Sequence, residues 1–533
     1  MATINPTIKA AGPVPRRLFF YNTGFLRQQR LRRILALAGH ELRPALPGLG
    51  PSPDDGVVVW GRSPHAARGE TVARARSLPL IRIEDAFLRS IRPGRMGDAP
   101  IGLMIDPCGV HFDASVPSGL ERLLATDLLD NSNLLARAKD GIGRLKALDL
   151  SKYNIHDQSL APPSPGYVLV VDQLRGDASV RHSGVPATMF REMLVFAQEE
   201  NPGARVIIKT HPETAQGLRP GHYGAEHATG NVTLLDAPIS PHVLLEGAVA
   251  VYTVSSQLGF EAILAGHRPR VFGQPFYAGW GLSQDETPVL RRHRMLTRAQ
   301  LFAAAMLLAP TWYDPCRDRL CSFEDAVDQL EAEARAFRED RHGHIALGMR
   351  LWKRGRLQAV FGRVTPLRFA PDPKRAQIQA EASGRGILVW AGKDPWGLAA
   401  PKGVRRVEDG FLRSRGLGAD LTAPLSLVAD DLGIYYDPDQ PSRLEHLIRA
   451  PLPPGGTQRA TRLIERLTDA GLTKYNIGRA APPDLPEGRR ILVPGQVEDD
   501  ASIRFGAGTV RSNLGLLQAT RAANPGAVLI YKP

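Results

Sequence analysis

The amino-acid sequence predicts an α/β fold of tandem modules, each with two Rossmann-like domains, and with the second module incomplete. Two observations predict it. Almost wholly apolar runs alternate with helix-type segments along the chain, and a long series of motifs occurs twice in the same order. The chain has 533 residues, which is too long for a single hydrophobic core, so we expect several domains.

The apolar runs of the first module are predicted to be strands with helices between them. The predicted strands are 56–61, 78–84, 166–173, 204–211, 232–236, 249–255 and 268–273, and the predicted helices are 118–129, 186–202 and 255–267. Because the runs are apolar throughout, both faces of each strand are expected to be buried, as in parallel sheets. Seven strands are too many for one small sheet, which favours two Rossmann-like domains that face a cleft.

The repeat is visible in the motifs. EDAFLRS begins at Glu84 and returns as EDGFLRS at Glu408, an offset of 324 residues, while NPGARVIIK begins at Asn201 and returns as NPGAVLIYK at Asn524, an offset of 323. The motifs GVHFD, KYNI and QLRGDAS return between them in the same order. A conserved order with nearly constant offsets indicates a tandem duplication.

The repeat also predicts the domain boundaries. The predicted parts are a complete module at 16–335, with an acceptor-side half at 16–165 and a nucleotide-sugar half at 166–335, a linker at 336–346, and a second module at 347–533. Residues 211–330 have no counterpart after Pro533. We therefore expect a truncated chain whose next residue would be a second histidine, matching His211.

The chain is strongly basic, with a formal net charge of +13. This charge favours an anionic partner such as a nucleotide, an acidic sugar, a phospholipid surface or a nucleic acid. An arginine-rich genome would explain the same composition without any partner. Aromatic residues make up only 6% of the chain and no nucleic-acid-binding module is recognisable, so nucleic acid is not expected.

Three cysteines in so long a chain indicate a reducing compartment. Cys316 and Cys321 lie close together, but no second Cys/His pair at zinc spacing accompanies them, so no metal is expected. The sequence has no signal-type apolar segment and no window of about 20 apolar residues. We expect a cytoplasmic protein, peripheral at the inner face of the inner membrane.

Each module opens with a short basic amphipathic segment, at 24–39 and at 348–362. Leu31, Ile34 and Leu35 follow helical spacing, with most arginines elsewhere on the helix. Such a segment either packs as a first helix on its own domain or is attracted to an anionic membrane surface.

Asp177 and His211 each follow a predicted strand, where the chemistry of such folds is located. Asp177 lies in QLRGDAS with Arg181 nearby, and a carboxylate there suits nucleophilic catalysis. A helix cap is the alternative, and the return of the longer pattern in the second copy favours catalysis over it. His211 lies in KTHPE, where it can move a proton or contact a phosphate while Lys209 supplies charge.

Two further clusters are candidates for a site. Glu84, Asp85 and Arg89 begin the loop after a predicted strand and recur in the second copy, which favours acceptor binding or general-base chemistry over simple ion pairing. Ser255 and Ser256 precede a predicted helix, whose N-terminus favours a phosphate, although they would also serve as helix caps.

Taken together, these motifs resemble the capsule polysaccharide β-Kdo glycosyltransferases of the KpsC type. The matching motifs are EDGFLRSRGLGA, PLSLVADDLGIYYD, KYN, the Q…DAS stretch, KTHPE and GFEAILAG…PFYAGWGL, and they span nearly the whole chain. The resemblance implies GT-B-like modules that add β-linked Kdo from CMP-Kdo with retention of configuration. The acceptor would be a Kdo-terminated glycolipid on (lyso)phosphatidylglycerol, no cofactor would be needed, and the capsule export machinery would be a partner.

The resemblance also implies residue roles. Asp177 matches the family's nucleophile and His211 its HP-motif histidine, while Glu84, Asp85 and Arg89 are acceptor-side candidates. The donor-side candidates are Gln173, Arg181, Lys209, Ser255, Ser256 and Glu261, and the second-module equivalents are Glu408, Asp409, Arg413, Gln496, Asp500, Arg504 and Lys532. The alternative is a non-catalytic basic scaffold for capsule assembly or export at the inner membrane, which would not need these residues.

Overall fold

The structure is a computed structural model that describes residues 14–46, 49–418, 420–478 and 484–533. The chain divides into two compact units, residues 1–338 and 339–533. The candidate site lies in the first unit.

The strands of the first unit are β1 Arg17–Phe20, β2 Glu41–Pro44, β3 Gly56–Trp60, β4 Leu80–Asp85, β5 Gly102–Asp106, β6 Tyr167–Val171, β7 Arg205–Lys209, β8 Val232–Leu235, β9 Ala248–Thr253, β10 Arg270–Val271, β11 Gln284–Asp285, β12 Thr311–Asp314 and β13 Arg319–Cys321. Its α-helices are α1 Gly24–Arg27, α2 Gln29–Leu37, α3 Ala67–Ala75, α4 Gly119–Thr126, α5 Ser132–Ala147, α6 Ala178–Arg181, α7 Met189–Glu199, α8 Pro212–Ala215, α9 Pro241–Gly247, α10 Gln257–Ala265, α11 Arg298–Phe302 and α12 Phe323–Asp340. Every predicted strand and helix overlaps one of these elements.

A seven-stranded sheet has the order β13-β12-β5-β4-β3-β1-β2. Strands β2, β1, β3 and β4 are parallel, but β5, β12 and β13 join by antiparallel pairing, so the expectation of a wholly parallel sheet is wrong here. The reason lies in the connection from β4 to β5, which contains only one short 3₁₀ turn at Gly94–Met96. Neighbouring parallel strands are usually joined by a crossover that contains an α-helix, and this connection has none.

A six-stranded sheet has the order β11-β10-β9-β6-β7-β8 and is parallel throughout, as the apolar strands predict. All five residues of its central strand β6 are buried. The carboxyl ends of β6, β7 and β9 therefore meet at one edge of this sheet, which positions the loops that follow them.

The chain returns to the seven-stranded sheet after completing the six-stranded one. Strands β12 and β13 extend the first sheet, and Trp312 and Phe323 belong to the same core as Leu123 of α4 and Ala138 of α5. The predicted half 166–335 is therefore not a continuous domain. Residues from about 298 onward pack against α4 and α5 of the first half and cover the apolar faces of these two helices.

Helix α2 packs on its own domain. Leu31, Ile34 and Leu35 are buried against Leu18 and Phe20 of the same core. The packing alternative for this segment is thus confirmed, since its apolar face is already covered by protein.

The second unit contains β14 His344–Leu347, β15 Arg368–Ala370, β16 Gly386–Trp390, β17 Val404–Asp409, β18 Leu427–Asp430, β19 Arg490–Pro494 and β20 Val528–Lys532. Its helices are α13 Leu351–Phe361, α14 Pro373–Ser383, α15 Arg443–Arg449, α16 Gly456–Asp469, α17 Ala501–Gly506 and α18 Asn513–Ala523. The five-stranded sheet β15-β14-β16-β17-β18 has the same order and strand directions as β2-β1-β3-β4-β5, and β19 pairs in parallel with β20 as β6 does with β7.

The predicted linker 336–346 is mostly regular structure. Helix α12 continues to Asp340, and β14 begins at His344. The His344 ring lies 2.9 Å from the Asp340 carboxylate, a contact inside the second unit.

Candidate active site

A cleft of about 810 Å³ lies in the first unit and is lined by residues from both sheets. Its walls carry the ends of β4, β6, β7 and β9 and the loops that follow them. All eleven predicted site residues of the first module line it: Glu84, Asp85, Arg89, Gln173, Asp177, Arg181, Lys209, His211, Ser255, Ser256 and Glu261. Residues more than 170 positions apart in the sequence thus share one cavity.

Asp177 caps the N-terminus of α6, as the helix-cap alternative predicts. Its Oδ1 accepts hydrogen bonds from the Ser179 backbone N–H at 3.0 Å and from the Ser179 hydroxyl at 2.8 Å. Burial acts to raise the pKa of Asp177, but the Ser179 hydrogen bonds and the charges of Lys152 and Arg219 lower it overall. Oδ2 takes no part in the cap and lies 3.6 Å from Arg219 Nη1, so one oxygen of an ionised carboxylate remains for chemistry.

His211 caps the short helix α8 through its ring. Nδ1 accepts a hydrogen bond from the Glu213 backbone N–H at 3.1 Å, which in a neutral imidazole places the proton on Nε2. Burial, followed by the charge of Lys152, lowers the pKa of His211 to about 4. At neutral pH the ring is therefore an uncharged N–H donor, which suits a phosphate oxygen.

Glu84 and Asp85 end β4 at the cleft. Burial, followed by the neighbouring charge of Asp85, raises the pKa of Glu84 to about 8. Asp85 Oδ2 accepts a hydrogen bond from Arg89 Nε at 2.6 Å, while its Oδ1 is buried without a hydrogen-bond partner among the described residues. Arg89 therefore holds Asp85 in place, while it also lines the cleft; its acceptor-binding role stays a prediction.

The donor-side residues form an internal hydrogen-bond network. Gln173 Nε2 donates to Ser255 Oγ at 3.1 Å, and the Ser255 N–H donates to Gln173 Oε1 at 2.9 Å. Ser256 caps α10, accepting from the Leu258 N–H at 3.3 Å, as the capping alternative predicts. These contacts fix the loop after β6 against the start of α10.

Glu261 of α10 accepts a hydrogen bond from Ser151, which lies on the side of the cleft formed by the seven-stranded sheet. Both of its carboxylate oxygens lie 2.9 Å from the Ser151 hydroxyl, and burial raises the pKa of Glu261. Lys209 is similarly anchored, because its ammonium donates to the backbone oxygen of Ala237 at 3.1 Å, and burial lowers its pKa to about 8. Arg181 is exposed at the end of α6.

Several cleft residues were not predicted from the sequence, and Lys152, His111 and Arg219 matter most among them. Lys152 lies in KYN, a motif that returns at Lys474, so the repeat carried a signal for it. Burial lowers the pKa of His111 to about 3, and its ring packs on Phe87 at 4.9 Å. No sequence pattern pointed to Arg219, because it lies in an irregular loop that has no counterpart in the second copy.

The second unit repeats part of this arrangement. Asp500 caps α17 by accepting from Ser502 N–H and hydroxyl at 2.9 and 2.7 Å, and Arg413 Nε donates to Asp409 at 2.7 Å. Burial raises the pKa of Glu408 to about 7, and the charge of Asp500 adds to this. Gln496 and Lys532 are exposed, and the Arg504 guanidinium lies 5.5 Å from the Phe505 ring.

The described ranges, 14–46, 49–418, 420–478 and 484–533, contain neither a metal-type cluster nor a membrane-type helix. No group of three or more His, Cys, Asp or Glu side chains there is arranged to hold a metal ion. No helix there combines the length and apolar character needed to cross a membrane.

Comparison with known proteins gives the family. The family model described as "Capsule polysaccharide biosynthesis protein" matches residues 55–311 and 399–471. The chain belongs to this family. The match includes the cleft residues from Glu84 to Glu261, and its second segment contains the EDGFLRS repeat.

Relatives within the capsule biosynthesis family are similar over long stretches. The chain is 38% identical over 501 residues to the "Capsule polysaccharide modification protein LipA" of Neisseria meningitidis serogroup B, covering 90% of this chain and 71% of the relative. It is 35% identical over 281 residues to the "Lipopolysaccharide-processing protein LpsZ" of Rhizobium meliloti, covering 52% and 64%. A solved structure, the "beta Kdo 2,4 transferase" of Thermosulfurimonas dismutans KpsC, matches with a TM-score of 0.55 and 32% identity over 59% of this chain and 98% of that one.

Proposed function

We propose that the first unit is a retaining β-Kdo glycosyltransferase that moves Kdo from CMP-Kdo onto a (lyso)phosphatidylglycerol-linked Kdo acceptor. One observation carries the proposal: the cleft holds Asp177 with a lowered pKa and Glu84 with a pKa raised to about 8. Two carboxyl groups with opposite ionisation in one cleft suit a nucleophile and an acid/base group. The similarity to a Kdo transferase supports the choice of sugar.

The proposed reaction is a double displacement. Asp177 Oδ2 forms a bond to the anomeric carbon while the bond to the CMP phosphate oxygen breaks, and CMP leaves with the electron pair. The His211 Nε2–H donates a hydrogen bond to that phosphate. In molecules whose Glu84 is ionised, the acceptor hydroxyl then attacks the same carbon, Asp177 is released, and the hydroxyl proton passes to the Glu84 carboxylate; with a pKa of about 8, this fraction grows as pH rises above 7. Two inversions give net retention.

The fold supports a finer arrangement. We assign the two sheets of the first unit to a GT-B-like pair of domains, with the nucleotide held mainly by the loops of the six-stranded sheet. The matching strand order of the second unit supports a duplicated module, of which the described part contains the counterparts of β1–β5 and of β6–β7.

The proposed partners follow from the chemistry. CMP-Kdo is anionic, and a phospholipid-linked acceptor lies at an anionic surface, so both suit a chain of net charge +13. We propose that the protein acts at the inner face of the inner membrane and that the capsule export machinery receives its product.

The test is CMP release with a synthetic Kdo-terminated acceptor. We expect turnover by the wild type and a loss of at least about 10³-fold in Asp177→Ala, because the nucleophile is gone. Mass spectrometry of the wild type incubated with donor alone should find a Kdo adduct on the peptide that contains Asp177. Unchanged turnover in Asp177→Ala would reject the mechanism and favour a non-catalytic scaffold.

A further inference from the structure

Most cations of the cleft are already committed to protein groups. The Arg89 guanidinium contacts Asp85, the Ser90 hydroxyl and the Asp98 backbone oxygen. Lys209 donates to backbone oxygens at the end of β8. Part of their hydrogen-bonding capacity is therefore used before any ligand arrives.

Lys152 differs from these residues. Within the described parts of the chain its ammonium has no side-chain hydrogen bond and no ion pair within 4 Å, although the residue is half-buried and lines the cleft. Its backbone is nevertheless held firmly. The Lys152 carbonyl oxygen accepts hydrogen bonds from the N–H groups of Arg89 at 3.2 Å and Ser90 at 3.4 Å, and the preceding Ser151 is bonded to Glu261. The ammonium lies 5.6 Å from the centre of the Tyr153 ring, a contact that leaves its N–H groups available to a ligand. A fixed backbone thus presents a cation that has no anionic hydrogen-bond partner among the described residues.

The groups around Lys152 keep it charged. Burial acts to lower the pKa of Lys152, but Tyr153, Asp85 and Glu84 outweigh it and raise the pKa overall, with a further contribution from Asp177. The other titratable groups that respond to its charge are two histidines that are neutral at pH 7, one on each side of the cleft: His111 and His211. A permanent ammonium thus lies among the groups proposed to carry the reaction.

The proposed chemistry has a requirement that such a cation meets. Kdo is a 2-keto acid sugar, so its anomeric carbon also bears a carboxylate. When Asp177 Oδ2 bonds to that carbon, two carboxylates approach one centre while a phosphate departs. Their repulsion opposes the attack unless a positive charge lies beside them.

We propose that Lys152 binds the anomeric carboxylate of the acidic sugar donor and holds it beside Asp177. The assignment rests on the proposed function and extends it to one contact. Lys152 neither gains nor loses a proton: the Asp177–carbon bond forms, the carbon–phosphate oxygen bond breaks, and CMP takes the electron pair. The ammonium makes charge-assisted hydrogen bonds to the carboxylate throughout.

The experiment is calorimetric titration of the full chain with CMP-Kdo and, separately, with CMP. Asp177→Ala is the background, so that the donor is bound but not consumed. Adding Lys152→Met should weaken CMP-Kdo binding about tenfold or more and leave CMP binding unchanged, because only the sugar carries the carboxylate. Lys152→Arg should restore most of the affinity. Lys139→Met, which removes an exposed lysine of α5 outside the cleft, should change neither affinity.

The outcomes separate the two proposals. Equal CMP-Kdo affinity with and without Lys152→Met would overturn the assignment, as would an equal loss for CMP and CMP-Kdo, which would place Lys152 at the nucleotide or in the fold. Turnover by the wild type would still support the transferase in either case. Absence of wild-type turnover together with absence of CMP-Kdo binding would overturn the transferase and the assignment together.

Discussion

Asp177 uses its two carboxylate oxygens for different tasks. Oδ1 is fixed by the N–H and hydroxyl of Ser179, while Oδ2 lies free of the cap beside Arg219. The helix-cap and catalytic interpretations, which the sequence leaves as alternatives, are therefore compatible. The cap orients the carboxylate and favours its ionised form, and both properties are needed in a nucleophile.

The raised pKa of Glu84 predicts the pH dependence of turnover. If ionised Glu84 accepts the acceptor proton, kcat should rise with pH through an apparent pKa near 8, and Glu84→Gln should remove that limb and lower kcat about 10²–10⁴-fold. The measurement is kcat against pH from 6 to 9.5. Glu192→Gln, an exposed glutamate on α7, should keep the wild-type profile. A limb that survives in Glu84→Gln would assign the base elsewhere.

The raised pKa of Glu84 also makes the stability of the fold depend on pH. In the unfolded chain Glu84 ionises near its ordinary pKa of 4.5, and in the fold near 8, so the folded state binds the proton more tightly. The contribution of Glu84 to the free energy of unfolding should therefore fall as pH rises from about 5 to 8. In Glu84→Gln this contribution should be absent in urea denaturation at pH 6 and pH 9.

Lys152 of the KYN motif could not be assigned to the site from the sequence alone. Asp177, His211 and Glu84 could be chosen because they follow predicted strands, and the structure places all three at the cleft. Lys152 follows no strand, and most lysines are solvated, so its motif indicated only the repeat. Its importance depends on which other charges the fold brings near it, and that is a tertiary property.

At the scale of elements, the turn after β3 is shaped around Glu84. Gly61 has φ +38°, and a Cβ built there would lie 1.8 Å from Glu84 Oε1. Gly61→Ala should therefore displace the carboxylate and reduce kcat more than about tenfold, in addition to a stability cost of about 1–2 kcal/mol for the backbone conformation.

Gly203→Ala is the matched control for Gly61→Ala. Gly203 has φ +81° with no atom within 4 Å of the built Cβ, so that variant carries the backbone cost alone. We expect both variants to lower the melting temperature and only Gly61→Ala to lower kcat. An equal kcat loss in both would mean that strain, and not displacement of Glu84, is responsible.

Apolar runs predicted the parallel strands β3, β4 and β6 to β10, most of whose residues are shielded from solvent. The parallel strands β1, β2 and β11 were not predicted, because β1 and β2 contain polar or charged residues and β11 is only two residues long. Strands β12 and β13 escaped prediction because they are short, mixed in polarity and antiparallel at a sheet edge. The continuation of α12 to Asp340 also escaped, since its charged composition resembled a linker. In both cases the decisive contacts are with residues distant in sequence.

At the scale of the whole molecule, corresponding helices of the two units differ in burial. In the first unit α4 and α5 are covered by residues such as Phe302 and Phe323. In the second unit α15 and α16 contain no buried residue, and Ile448 and Ile464 are 74% and 62% exposed. Apolar burial is the main source of helix stability, so the two pairs should differ in local stability.

Hydrogen exchange followed by mass spectrometry measures that difference. Peptides from 443–469 should exchange at least about tenfold faster than peptides from 119–147, because fewer packing contacts oppose local opening. Peptides from β14 and β16, which are buried in the second unit's own core, provide the internal control. Equal protection of the two helix pairs would show that the apolar faces of α15 and α16 are covered in solution.

Because β12 and β13 return to the seven-stranded sheet, the two sheets should finish folding in a fixed order during synthesis. The six-stranded sheet is formed by one continuous stretch, from Tyr167 to Asp285, and is complete once the ribosome has delivered it. The seven-stranded sheet must wait for β12 and β13, which end at Cys321. The half that begins at the N-terminus should therefore be the last part of the first unit to finish folding on the ribosome, with its edge at β5 unprotected until then.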